Sequence, residues 1–223
     1  MKFSTTAAIA AGILASASCG RTPSLPVLSR ADSLSIIEEN MEYRARQDAF
    51  FAHDPHSPFV RDTSAHYHGI NWFPVNPAFR GESVLHTYAE PETVTVMGTR
   101  GEERRELRYG YVEFPVPGES GAPVMIRLNV YKFTPYEGET YRRYPETLSI
   151  WFTDSTTGRE TYEVGRYIDA GNDAHDPHHV YVIDLNKAYN PYCAYSRGYS
   201  CAVPRKEDHL PLALRVGEMK YNE

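Results

Sequence analysis

One stretch of the chain is patterned for a helix, and the rest is patterned for strands. Over residues 31–52, Leu34, Ile37, Met41, Ala45 and Ala49 recur at helical spacing, with Phe50 flanking the stripe. Ser29, Asp32 or Ser33 can cap the start of this helix, and His53-Asp54-Pro55 ends it. Beyond it the period falls to two, as in Val94-Thr95-Val96 and in Met125-Ile126-Arg127-Leu128-Asn129-Val130. Strands are predicted over 81–88, 93–98, 106–115, 124–134, 148–153, 160–168, 180–185 and 212–217. Turn signals such as Gly98-Thr99-Arg100-Gly101 and Pro117-Gly118-Glu119-Ser120-Gly121 separate some of them. The pattern predicts a mainly β fold: an antiparallel β-sandwich or β-barrel of about eight strands with one N-terminal helix. The strands at 160–168 and 180–185 are consecutive and are expected to pair as a hairpin.

The first residues set the compartment. Lys2 precedes a small or apolar run over 7–17, too short to span a bilayer and typical of a signal peptide. Ser18-Cys19-Gly20 follows, and a Cys at that place resembles a lipoprotein signal whose thiol becomes diacylated. Such signals usually carry Leu three positions before the Cys, and here that position is Ser16. Cleavage at Ala15-Ser16-Ala17, giving a soluble protein, is the alternative. The expected organisation is a signal peptide at 1–18, a lipidated Cys19 with a tether at 19–30, and one β-rich domain at 31–223. The expected location is the cell envelope, membrane-anchored and facing the periplasm or cell surface.

Composition narrows the partners. In 223 residues there are 17 Tyr, 9 Phe and 2 Trp, and Tyr suits half-buried strand faces as well as carbohydrate or peptide recognition. The formal charge of -6 and the lack of a basic run argue against nucleic acid. Four Arg lie between positions 100 and 108, but three Glu interleave with them, which reads as a solvated hairpin. His66-Tyr67-His68 and His175-Asp176-Pro177-His178-His179 are the His-rich stretches; the second has the character of a surface turn, and no metal site is assigned. No phosphate-cradling Gly loop or nucleophile elbow is present, so no cofactor is assigned.

Some stretches are more particular. They are Ser57-Pro58-Phe59, Gly69-Ile70-Asn71-Trp72-Phe73, Gly165-Arg166-Tyr167-Ile168-Asp169, the run Asp184-Leu185-Asn186-Lys187-Ala188-Tyr189-Asn190-Pro191-Tyr192-Cys193-Ala194-Tyr195, and Tyr199-Ser200-Cys201. From about Tyr43 to Glu218 the chain resembles the bacterial and archaeal family known as domain of unknown function number 1684. The resemblance implies a shared fold and a shared site, and it carries no settled activity. Tyr43 and Leu185 stand where the family pattern leads one to expect Trp and Phe.

These motifs supply the candidate ligand-binding residues Arg166, Tyr167, Asp169, Asp184, Asn186, Tyr189, Asn190, Tyr192 and Tyr195. Along a strand, Arg166 and Ile168 share one face while Tyr167 and Asp169 share the other. Arg166 can pair with a carboxylate such as Asp184, or with an anionic ligand. The polar run after Asp184 is either a rigid packed corner or a binding loop. For convergence with Arg166, the loop 186–201 must fold back along the sheet. Cys193 and Cys201 are read as a disulfide, with buried free thiols or a catalytic thiol based on His209 as alternatives. Three function classes remain: a small-molecule, glycan or peptide binding module, a hydrolase-like enzyme in the same pocket, and a structural envelope protein without a ligand.

Overall fold

The computed structural model describes residues 23–62 and 65–221, so the expected signal segment and Cys19 lie outside the described residues. The helix α1 spans Arg30–His53. Ser29 is its cap: its hydroxyl accepts from Asp32 N at 3.1 Å, and Asp32 accepts from Ser29 N at 3.2 Å. The helix is rotated relative to its apolar stripe. Leu34 and Met41 are both 56% exposed, while Ile36, Asn40 and Phe51 are buried. The inward face is largely polar because it docks through specific contacts. Asn40 Nδ2 donates to Asp184 Oδ2 at 2.7 Å, and the Arg44 guanidinium lies 4.8 Å from the Trp72 ring.

Eight strands follow: β1 (Arg80–Val84), β2 (His86–Met97), β3 (Glu103–Pro117), β4 (Pro123–Phe133), β5 (Thr147–Asp154), β6 (Arg166–Asn172), β7 (Val180–Asp184) and β8 (His209–Leu210). Strands β2-β3-β4-β5-β6 form an antiparallel sheet in that order, with β8 parallel to the end of β5. Strands β1 and β7 make a second, two-stranded sheet, with Arg80 opposite Asp184 and Val84 opposite Val180. Neither sheet closes on itself, so the fold is a sandwich rather than a barrel. Between the sheets lies the main core, built from Val112, Phe114, Ile126, Leu128, Ile150 and Ile168 against Tyr181 and Ile183. Packing is close: a Cβ on Gly81 of β1 would stand 2.0 Å from the Phe114 ring.

Three expectations need correction. The strand predicted at 160–168 starts only at Arg166. Before it, Asp154 accepts from Thr156 N and Oγ1 at 2.6 and 2.5 Å, and the Thr156 and Thr161 hydroxyls are 3.0 Å apart, which holds a compact turn. The expected pairing of 160–168 with 180–185 is not formed, because β7 takes β1 as its partner. Residues 212–217 are not a strand. Their alternation is real, since Leu212, Leu214 and Val216 are all buried in the core. The carbonyls of Leu214 and Val216, however, accept from the Arg166 guanidinium instead of from a neighbouring strand.

Candidate functional site

Strand β6 sorts the motif residues by its pleat. Arg166 and Ile168 are buried, Tyr167 is half-buried and Asp169 is exposed. Inward, Arg166 is 1% exposed. Its guanidinium donates to Asp154 Oδ2 at 2.6 Å, Leu214 O at 2.9 Å, Val216 O, and Glu218 O at 3.4 Å. Burial lowers its pKa, and the Asp154 charge opposes that shift. The partner suggested by sequence, Asp184, is bound elsewhere, to Asn40 and to Asn186.

The other polar motif residues continue this buried network. Asn186 donates to Asp184 Oδ1 at 2.8 Å and to Asn76 O at 3.0 Å, and accepts from Asn76 N at 2.8 Å. Asn190 N donates to Glu218 Oε2 at 2.8 Å, and its amide donates to Met219 O at 2.9 Å. Tyr195 donates to Glu218 Oε2, with its ring packed 5.1 Å from Phe51 and 5.3 Å from Phe59. Burial pushes the Glu218 carboxyl up to about 7. Arg166 and Asn190 thus meet through Glu218, inside the protein. Arg166, Asn186, Asn190 and Tyr195 are therefore placed as internal bracing and bond chiefly within the protein, with Arg166 Nε and Asn190 Oδ1 left without a partner among the described residues.

Outward, the loop 186–201 does fold back along the sheet. Tyr167 and Tyr189 exchange both backbone hydrogen bonds, at 2.9 and 3.0 Å, and Tyr189 Oη donates to Asp169 Oδ1 at 2.8 Å. The far end of the loop is held by the β2–β3 hairpin, where Thr99 N donates to Cys201 O at 3.0 Å and Arg104 donates to Ser200 O at 2.7 Å. Two adjoining cavities lie along this outer face. The first, about 500 Å³, is walled by Tyr43 and Phe50 of α1, Asp169 of β6, and Tyr189, Tyr192 and Tyr199 of the loop. The second, about 360 Å³, runs over the sheet between Glu106, Phe133, Tyr144, Ser149 and Trp151. Tyr167, Asp169, Tyr189, Ser200 and Cys201 border both. Asp184, with Lys187 and Asp169, borders a third, smaller hollow beyond Tyr189.

Of the sequence-based candidates, Tyr167, Asp169, Tyr189 and Tyr192 line the first cavity. Glu106 and Trp151 were missed. Glu106 lies among the Arg100–Arg108 charges but is 1% exposed, because the outer end of the sheet is covered by Ala202 and neighbouring residues packed on Val94, Val96 and Trp151. Its carboxyl is pushed up to about 8, chiefly by burial, with the Glu137 charge adding and Arg104 opposing. The detectable signal was alternation along β3, which puts Glu106 on the same side as Arg104.

Cys193 and Cys201 are both free thiols in contact, with Cys193 N donating to Cys201 Sγ at 3.3 Å. Hydrogen bonding to Cys201 brings the Cys193 thiol down to about 7, and that of Cys201 is pushed up. His209 is on β8, where its Nδ1 lies 3.0 Å from Thr153 Oγ1. Among the described residues, one His-containing cluster has metal-ligand geometry, Glu146, Asp173 and His175. The Lys132 ammonium already sits at 2.6 and 3.4 Å from its two carboxylates.

The family described as "Protein of unknown function (DUF1684)" matches residues 65–219. The chain belongs to this family. No curated protein matches it. Among solved structures, it is similar to the solution NMR structure of an uncharacterized protein from gene locus rrnAC0354 of Haloarcula marismortui. Identity is 27%, the TM-score is 0.56, and the match covers 82% of this chain and 92% of that one. The family span holds Arg166, Asp169, Glu106, Trp151 and the whole 186–201 loop, whereas the α1 wall of the first cavity, with Tyr43 and Phe50, lies outside it.

Proposed function

We propose that this protein is an exported, lipid-anchored binding module whose outer groove takes a small uncharged ligand, a glycan in preference to a peptide. The observation that supports this most is the pair of adjoining cavities, in which Tyr rings surround one exposed carboxylate, Asp169. Mostly apolar and aromatic walls with a few placed polar groups suit a sugar, which has an apolar ring face and hydroxyl edges. A peptide added as a strand needs a free sheet edge. At Tyr167 that edge of β6 is taken by Tyr189. The binding test uses Trp151, one of two Trp in the chain. In a Trp72→Phe background, titration with neutral oligosaccharides is expected to give a saturable change in emission, lost in Tyr189→Ala. A flat response across the panel removes the reading.

The anchor rests on the small-residue run ending at Cys19. Mass spectrometry of the native protein is expected to show a mature chain that begins at a diacylated Cys19, and an unlipidated N-terminus would contradict it. In an oxidising compartment the contact between Cys193 and Cys201 favours their pairing, which closes a short loop and contributes about 2–3 kcal/mol.

A second reading, a hydrolase-like enzyme in the same groove, is favoured by the raised carboxyl of Glu106 and by Asp169 on the same cavity. A protonated carboxyl with a second, ionised one is the pair that glycoside hydrolysis uses. Release of nitrophenol from aryl glycosides, lost in Glu106→Gln, would separate catalysis from binding alone.

A further inference from the structure

We propose that Glu106 and Trp151 form a subsite for the acetamido group of an amino sugar, at the sheet end of the groove. The inference rests on the binding reading above and specifies its ligand. Glu106 Oε2 and Trp151 Nε1 are both buried and have no hydrogen-bond partner among the described residues. Glu106 is 1% exposed and Trp151 3% exposed, and both belong to the lining of the second cavity. A buried polar atom without a partner is costly, and native interiors leave few of them. Of the twelve such side-chain atoms among the described residues, these two share the wall of one cavity, and that placement points to a group that completes them when it arrives.

The chemistry of that group follows from the donors. The indole N–H can only donate. Glu106 is buried beside Glu137 and opposed only by Arg104, so it holds its proton near neutrality and then offers a donor as well. The subsite therefore asks for a neutral acceptor, and a carboxylate-bearing or cationic ligand is disfavoured by its desolvation. Apolar contact comes from Phe133 and Tyr144 in the same wall. A carbonyl with a methyl beside it satisfies both demands. An acetamido group carries that pair, and a pyranose ring attached to it reaches toward the Tyr167 and Tyr189 rings at the boundary with the first cavity.

Calorimetry of the full mature chain with N,N′-diacetylchitobiose and with cellobiose tests this, because the two share a ring skeleton and differ in the acetamido groups. The diacetyl sugar is expected to bind at least about tenfold tighter, the scale of one buried hydrogen-bond group left unpaired. Glu106→Gln keeps a donor and should keep the discrimination; Glu106→Leu and Trp151→Phe should each reduce the ratio of the two affinities severalfold. Thermal unfolding of each variant confirms that it is folded, and Trp151→Phe provides a second line if Glu106→Leu is not. Equal affinity for the two sugars in the wild type, or discrimination untouched in the folded variants, overturns the subsite while the binding reading stands. Tighter binding of N-acetyl-trialanine amide than of the diacetyl sugar also overturns it. If neither sugar binds, the subsite falls, and the wider reading falls only if the whole neutral panel fails too.

Discussion

On the inner side of the sheet Arg166 finds four acceptors within the protein; on the outer side Glu106 Oε2 and Trp151 Nε1 find none. All three residues are almost completely buried, so solvent exposure does not explain the difference. The inner polar groups come from distant segments, Asp154, Asn186, Asn190 and Glu218, and each bond closes one segment on another. In the irregular stretch 212–217 the carbonyls of Leu214 and Val216 take the Arg166 guanidinium as donor, while those of Leu212 and Gly217 accept from Ser155 N and Phe73 N. The outer groups lie in the wall of an open groove. The inner network also leaves Arg166 Nε, Asn190 Oδ1 and Glu218 Oε1 without a partner among the described residues, but these lie within the packed interior, whereas Glu106 and Trp151 border a groove.

The largest test removes the inner brace. Arg166→Met is expected to cost about 3–5 kcal/mol, because it leaves the Asp154 carboxylate buried without its partner. At the usual scale for a domain of this size that lowers Tm by on the order of 10 °C in differential scanning calorimetry. The double variant Arg166→Met/Asp154→Leu should recover part of the loss, since both charges are gone, but not all, because the carbonyls of Leu214 and Val216 stay unpaired. A wild-type Tm in the single variant would mean that the inner network is not what holds the irregular stretch.

A second test sets both sides against pH. Glu106 and Glu218 have carboxyls raised from an ordinary 4.5 to about 8 and about 7. Between 4.5 and those values the folded protein holds protons that the unfolded chain has released. Stability is therefore fullest below about pH 4.5 for these groups and is lost as pH rises through the folded values. Urea unfolding from pH 5 to pH 8 is expected to show a decline on the order of 6 kcal/mol from the two groups together. The carboxyls that are shifted down, such as Glu39, Glu146 and Glu160, act below this window. Glu106→Gln should remove the outer share of the slope and Glu218→Gln the inner share. A flat profile in the wild type would show that neither carboxyl stays protonated, and the donor role assigned to Glu106 would go with it.

Most strand positions, though not 160–165 or 212–217, and the split of Arg166 from Tyr167 and Asp169 were legible in the sequence from the pleat. The helix was legible as an element and misleading as a face. Leu34, Ile37 and Met41 form the most visible stripe, yet the helix docks through Asn40, Tyr43 and Arg44, whose bonds to Asp184 and packing on Trp72 no periodicity announces. Residues 212–217 alternate like a strand, and only tertiary structure, through the Arg166 guanidinium and the backbone of Ser155 and Phe73, shows where their carbonyls go. The fold-back of the 186–201 loop was recognisable as a requirement, and Tyr189 meets it by pairing with Tyr167. Glu106 was hidden by its charged neighbours, since burial under Ala202 depends on a loop almost a hundred positions away.

The smallest test bears on the outer side alone. Asp169 is exposed and accepts one hydrogen bond, from Tyr189 Oη. The backbone pair between Tyr167 and Tyr189 does not depend on it. Asp169→Asn keeps an acceptor of the same size, so unfolding free energy should change by less than about 1 kcal/mol, the range of a single exposed hydrogen bond. The same change removes the carboxylate that borders both cavities. A neutral sugar that uses this carboxylate as an acceptor for its hydroxyls should then bind several times more weakly, since hydrogen bonds to a charged group are the stronger ones. Stability held while affinity falls is the pattern that separates the two sides of the sheet. If Asp169→Asn instead destabilises the protein as Arg166→Met does, the outer carboxylate belongs to the bracing, and the division between a structural inside and a binding outside fails at the strand that defines it.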